Sequence, residues 1–319
     1  MDIEYLLLLQ RFREAINDFL TPFMEWISLF AVTYLVLVPA IIYWVYDKKK
    51  GLFPLASYFL CVGVNATVKL TACVYRPWIR DARVVPVGDA ITTATGYSFP
   101  SGHTATAGPI YLGLAKVFYP VRKWLAYLFV ILLLITGFSR NYLGVHTPQD
   151  VVFAMLEAMV TIYAMDRIFK YVEKDPKKEN ILLLFEFLFA IAGLVYITYK
   201  PYPMQYVNGE LLVDPRKMMN DGYGDLAMMM MYPLARFVEK KWIRFKEVGL
   251  NWKGLVTAVV GAAIFWALGT YLKPYLIAQL GTHWGKFMMS TVNVFFFVTI
   301  YPLFIKLFFN KESDPDTNS

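Results

Sequence analysis

Residues 96–108 read "GYSFPSGHTATAG". A polar stretch enters an apolar run here, and Pro-Ser-Gly-His stands at the junction. The chain has 3 histidines, so His103 is not compositional noise. Ser101-Gly102 opens a helix, where free backbone amides and the positive end of the helix dipole favour an anion. Whether that helix crosses a bilayer decides what His103 meets.

The 319 residues are 58% hydrophobic, 17% charged and 17% aromatic, with a positive mean hydropathy. A soluble domain is about 45–50% apolar and about 25% charged. The expected class is therefore an integral membrane protein. Cys61 and Cys73 lie on one expected helix, roughly 18 Å apart, too far to bridge. The net charge of +7 suits cytoplasmic loops obeying the positive-inside rule better than a nucleic-acid partner. No zinc-type spacing, P-loop or dinucleotide fingerprint occurs. The N-terminal residues 1–25 are amphipathic, with Ile3, Leu6, Leu7, Phe12, Ile16 and Phe19 on a broad face. An acidic start excludes a signal peptide. They are expected to form an interfacial helix, with a packed soluble-side helix as the alternative.

Hydrophobic segments fall near 27–46, 52–75, 101–119, 124–141, 148–167, 181–199, 222–238, 253–273 and 286–306, most approaching the ~20 residues a spanning helix needs. The weakest, 222–238, contains Asp225 and Pro233 and is open to a tilted or re-entrant reading. The expected fold is an all-α polytopic bundle of about nine transmembrane helices in one domain, 1–319, with catalytic core helices over 52–167 and additional membrane helices over 181–308. The tail "KESDPDTNS" is expected to be disordered. Dense Lys/Arg clusters ("DKKK", "VRKW", "DRIFKYVEKDPKK", "RFVEKKWIRFK") occupy alternate connections. By the positive-inside rule these are cytoplasmic, which places the N-terminus outside and the C-terminus inside.

Three clusters of polar residues then meet the outer boundary. They are Lys69, Arg76 and Pro77; Pro100 to His103; and Ser139, Arg140, His146 and Asp150. Lys69 should lie roughly 26 Å from the cytoplasmic end of its helix. Charges beside a membrane span are costly and usually functional. Lys69, Arg76 and Arg140 suit a phosphate dianion, arginine as a bidentate fork and lysine as a point charge. A neutral histidine can attack phosphorus, and a charged one can protonate the departing oxygen. Asp150 can hold the nucleophile's tautomer.

The pattern K-x6-RP, PSGH, SR-x5-H-x3-D resembles the three-part signature of the type 2 phosphatidic acid phosphatase (lipid phosphate phosphatase) superfamily, in order and in every internal spacing. The resemblance covers about residues 52–160. It implies a phosphatase with His146 as the nucleophile forming a phosphohistidine, Asp150 orienting it, and His103 as the acid and then the base. Lys69, Arg76, Ser101, Gly102 and Arg140 would bind the phosphoryl group. It also implies no metal and no cofactor, and no carboxylate cage for magnesium is evident. The expected substrate is a phosphorylated lipid (phosphatidate, a sphingoid-base phosphate or a polyprenyl diphosphate) reached from the membrane lipids of the cell membrane at its extracytoplasmic face. The nine-span layout is similar to the glucose-6-phosphatase branch, which keeps a sugar phosphate as the alternative. Vanadium haloperoxidases share the signature, but their chemistry needs no membrane body. A transporter or binding protein on the same fold is the reading from another class. Oligomeric state is not legible.

Singly, these residues have ordinary explanations: Ser101 as an N-cap, Asp150 as the acid of a near capping box after Thr147-Pro148, Lys69 and Arg140 as interfacial anchors. Their joint order and spacing favour the site. Elsewhere the ordinary reading stands. Arg80 and Arg83 are expected to be solvated loop charges, Met228 to Met231 packing residues, Asp221 and Asp225 interhelical hydrogen-bonding groups, and His283 a loop residue outside the chemistry.

Overall fold

The computed structural model describes residues 2–309; the tail beyond Phe309, including the stretch expected to be disordered, lies outside the described residues. The described residues are 79% helical. Helix α1 (Asp2–Ala15) is followed by α2 (Thr21–Thr33) and α3 (Leu37–Ile41), which runs into a π-helical turn, Ile42–Tyr46. Then come α4 (Lys48–Ala72), the short α5 (Pro77–Arg80), α6 (Gly102–Phe118), α7 (Lys123–Tyr142), α8 (Pro148–Lys174) and α9 (Glu179–Tyr199). A two-residue hairpin pairs Tyr206–Val207 with Glu210–Leu211. It precedes α10 (Pro215–Met218), α11 (Asn220–Val238), α12 (Trp252–Ala267), α13 (Lys273–Phe295) and α14 (Tyr301–Phe309).

Contacts between helix ends give the chain direction. At one end Arg13 donates to Val85 O and Tyr142 O, Lys200 Nζ to Leu70 O, and Lys286 pairs with Asp221. At the other end Val248 N donates to Trp44 O, Lys48 pairs with Glu239, Arg236 with Glu179, and Lys116 with Asp166. The long helices therefore alternate up and down. The membrane-length stretch Trp252–Phe309, 58 residues, is itself a hairpin. Its backbone breaks at Gly281, where φ is 75°, a left-handed value natural to glycine. Beyond the break Gly285 lies directly on the Ile277 backbone, and Tyr301 donates to Thr257 O at 2.6 Å.

Among the described residues four stretches are long and apolar enough to cross a membrane, or up to five if the bent α2–α3 pair counts as one. These helices are compatible with a membrane protein. Nine crossings are not established by that measure, and the shortfall has a physical reason. Helix α6 has only 17 residues, α8 carries Asp150 and Glu157 in its first half, and α11 carries Asp221 and Asp225. In these helices Asp150 accepts from Ser98 and Thr147, Glu157 from Asn65, and Asp221 from Thr95. Helix α9, by contrast, has only 17% of its most apolar window buried, against 78% for the stretch containing α4. An apolar helix left open on this scale suits lipid rather than water. Helix α11, the doubtful segment, is continuous and packs against α4, α9 and α13.

Helix α1 does not present one open apolar face. Leu6 and Leu7 are buried with Val84, while Leu8, Phe12 and Phe19 stay exposed. Ion pairs Asp2–Arg80 and Glu4–Arg83 bind it to the loop after α5, so the polar side of α1 covers protein and part of its apolar side remains open.

Candidate active site

Local rules of chain folding assemble the site. Helix α7 ends at Tyr142 and the chain reverses through Gly144, whose φ is 76°. The amides of Val145 and His146 bond back to Arg140 O at 3.2 and 3.3 Å, a left-handed C-terminal closure. Thr147 then caps α8 with Pro148 in its first turn. This compact turn brings Arg140, His146 and Asp150 together from two antiparallel helices. Asn141 Nδ2 secures it by donating to His146 O at 2.9 Å.

Asp150 does two jobs with one oxygen. Its Oδ2 accepts from Thr147 N at 2.8 Å, the acidic half of a capping box, and lies 3.2 Å from His146 Nδ1. Ser98 Oγ donates to the same atom at 2.6 Å. Asp150 therefore caps α8 and contacts the His146 ring with the same oxygen.

Arg76 decides the tautomer of His146. Its NH1 stands 2.9 Å from His146 Nε2 and donates to Val145 O at 3.0 Å, while Nε donates to Gly96 O at 2.7 Å. A guanidinium only donates, so Nε2 must accept and Nδ1 carries the proton toward Asp150. His146 is 1% exposed. Burial first, and then the neighbouring Arg76 charge, hold its imidazole well below the usual histidine range. The ring is thus neutral, with its Nε2 lone pair turned toward the cationic side of the site.

Ser101 Oγ accepts from Thr104 Oγ1 at 3.0 Å and Thr104 N at 3.4 Å as the N-cap of α6, and Ser101 N donates to Asp150 O at 3.0 Å. The Ser101 amide is therefore spent on holding α6 to α8. The next amides, of Gly102 and His103, are the ones that lack helical acceptors. A Cβ on Gly102 would meet nothing within 4 Å, so space opens at the helix mouth. Lys69 Nζ reaches Tyr97 O at 3.2 Å, Ser98 O at 3.4 Å and also Pro100 O. It braces the chain leading into Pro-Ser-Gly-His.

Two side chains stand out by what they lack. Arg140 is 1% exposed, and NH1 reaches Ser28 Oγ, yet among the described residues its Nε and NH2 have no partner; neither has His103 Nε2. A buried donor left so costs roughly 1–3 kcal/mol. His103 lies within electrostatic reach of Arg140, His146, Arg76 and Lys69, so these groups surround one place. Four cations, Lys69, Arg76, Arg140 and Lys286, are set against three carboxylates, Asp150, Asp221 and Asp225, which leaves positive charge in excess. Buried charge of that kind calls for a counter-ion, and a phosphoryl dianion has the matching charge and acceptor oxygens.

Residues 50–174 match the model of the PAP2 superfamily. That segment belongs to the PAP2 superfamily. It runs from the first turns of α4 to the end of α8 and contains all eight sequence-derived site residues. PAP2 superfamily members are phosphatases, and the match supports a phosphoric ester hydrolase in general. No curated protein and no solved structure matches the chain significantly.

The structure draws Lys69, Arg76, Ser101, Gly102, His103, Arg140, His146 and Asp150 of the PAP2 segment toward one end of the bundle. His283 is elsewhere: its Nε2 lies 2.8 Å from Arg216 O and its ring against Tyr223. Arg80 and Arg83 are engaged with acids of α1 and with Asp81. Ser98, Asn141 and Ser28 were not singled out from sequence. Ser98 and Asn141 adjoin the motifs, whereas Ser28 is far from them along the chain and carries no local signal. Two surface clefts, of about 370 and 280 Å³, lie near Trp252 and near Lys48. Both are at the basic end, remote from this chemistry, so the site is assigned from its side chains rather than from cavity size.

Proposed function

We propose that the chain is an integral membrane phosphatase that hydrolyses a phosphomonoester or diphosphate, of a lipid, through a phosphohistidine on His146 at the extracytoplasmic face. The observation that carries this is the pairing of a neutral, Asp150-oriented His146 with unpartnered Arg140 and His103 nitrogens in a buried site of excess positive charge. The lone pair of His146 Nε2 attacks phosphorus, and the bond to the leaving oxygen breaks as His103 gives that oxygen a proton. His103 then takes a proton from water. The hydroxide attacks phosphorus, the P–N bond breaks, and inorganic phosphate leaves with His146 neutral again. Arg140, Arg76 and the Gly102 and His103 amides hold the phosphoryl oxygens as charge builds on them. Lys69 joins them by exchanging a loop carbonyl for a phosphoryl oxygen.

Among the described residues no group of three His, Cys, Asp or Glu side chains is placed to hold a metal. The family resemblance implies catalysis without a metal, and purified protein is expected to release inorganic phosphate from a lipid phosphate in excess EDTA. Binding or transport without release, or activity abolished by the chelator and restored by a divalent cation, would sink this reading.

A lipid is favoured because a site at one end of a membrane-spanning bundle would open near a bilayer interface. The orientation rests on charge: the end remote from the site gathers Lys48–Lys50, Arg122, Lys123, Lys177, Lys178, Lys240, Lys241 and Arg244, the cytoplasmic pattern. In a protein with Cys61 and Cys73 replaced, Thr92→Cys is expected to react with an impermeant thiol reagent applied to intact cells, and Lys177→Cys only after permeabilisation. The reverse labelling would put the active site in the cytoplasm.

A further inference from the structure

Helices α11 and α13 lie outside the PAP2 segment, yet they reach its cationic clamp. Lys286 on α13 is ion-paired with Asp221 Oδ1 on α11. The other oxygen of Asp221 accepts from Thr95 Oγ1. Thr95 precedes Gly96, whose carbonyl receives Arg76 Nε at 2.7 Å, and Arg76 NH1 stands 2.9 Å from the nucleophile's Nε2. A Cβ on Gly96 would lie 3.9 Å from Asp221 Oδ2 and 3.7 Å from Lys69 Cδ, so carboxylate, peptide and lysine are packed together.

We propose that Asp221, held by Lys286, is a positioning residue that sets the aim of the Arg76 guanidinium through the Thr95–Gly96 peptide. The inference rests on the phosphatase reading above and gives the C-terminal helices a part in it. The direction of the Arg76 fork is determined by two carbonyls, Gly96 O and Val145 O. Val145 belongs to a turn already closed onto Arg140 O. Gly96 lies between the backbone bonds of Ala94 N to Ile91 O and Ser98 N to Val74 O, and among the described residues its own peptide makes no backbone bond. The Thr95 hydroxyl on Asp221 supplies that anchor. Asp221 is not a phosphate ligand, since a carboxylate beside the clamp repels a dianion. Its charge is answered by Lys286, and it acts on phosphate through Arg76.

The test measures inorganic phosphate affinity by titration, together with kcat/KM, on the purified full-length protein. Asp221→Asn keeps the shape and removes the charge. It is expected to weaken phosphate binding by about tenfold, short of the ~10²-fold that a 1 Å misplacement of a reacting group can cost. Thr95→Val, which leaves every helix intact, should give a loss of the same kind. On an Arg76→Ala background Asp221→Asn should add less than about twofold, because residues acting through one group are not additive. Wild-type phosphate affinity in both Asp221→Asn and Thr95→Val overturns the inference. So does an undiminished loss on the Arg76→Ala background, which marks a general structural role. Wild-type protein that neither binds phosphate nor releases it from esters would remove the phosphatase reading, and this inference with it.

Discussion

His146→Ala is expected to abolish turnover, a loss of at least ~10⁴-fold, and with it any phosphorylated enzyme trapped by acid quenching of labelled substrate. The size follows from what is removed. In the proposed reaction every other group binds, orients or moves a proton, whereas His146 would form the bond that divides it into two displacements. Folding should survive, because the turn is held by backbone bonds to Arg140 O and by Asn141, and the imidazole contributes none of these. Wild-type turnover in the variant, or an acid-labile phosphoenzyme that persists in it, would exclude His146 as nucleophile. The pH profile gives a second check. The His146 proton is held below the usual imidazole range by burial and Arg76, so the nucleophile stays neutral as the medium is acidified. The acid limb of kcat/KM that reports it should fall below pH ~6.5, and an acid limb above that value contradicts a depressed nucleophile.

His103→Ala has the next largest expected effect, and its signature is selectivity. An alkoxide leaving from a lipid monoester is strongly basic and needs its proton, so turnover should drop by about 10²–10⁴-fold. A nitrophenolate or phosphate leaving group is far less basic and should lose much less. Arg140→Ala is the contrast, since its unpartnered Nε and NH2 face the transferred group itself. It should slow both substrate types by about 10²–10³-fold. Single-turnover phosphoenzyme formation, measured for both variants on both substrates, separates the roles. Equal losses across leaving groups for His103→Ala would reduce it to a phosphate-binding residue.

Much of this site was legible in the chain because its rules are local. Pro-Ser-Gly-His announces a helix mouth through an N-cap and a glycine. Ser-Arg-x5-His-x3-Asp announces a reversal, since Gly144 and Thr147-Pro148 close one helix and open the next within a few residues. The apolar segments reappear as helices for the same reason: the bilayer-scale pattern of hydropathy is written along the chain. Boundaries were less legible. The first segment, expected from residue 27, begins at Thr21 and bends after Thr33. The amphipathic N-terminal stretch divides its apolar residues between protein and the open surface, because its partner is a loop whose position no periodicity reveals.

Sequence by itself determined the helical class, the eight candidate site residues and the charge asymmetry, since each depends on residues close in the chain or on composition summed over it. Only the tertiary structure decided how those residues bond. It gave Asp150 both a helix cap and a histidine to orient, turned Lys69 onto loop carbonyls, and placed Arg76 against the lone pair of His146. It also brought in Ser28, Asp221 and Lys286 from outside the PAP2 segment. Such contacts link residues far apart in the chain, as Thr95 and Lys286, 191 positions apart, are linked through Asp221. They arise from the packing of α2, α11 and α13 around the core helices, where a buried donor must find an acceptor wherever in the chain it lies.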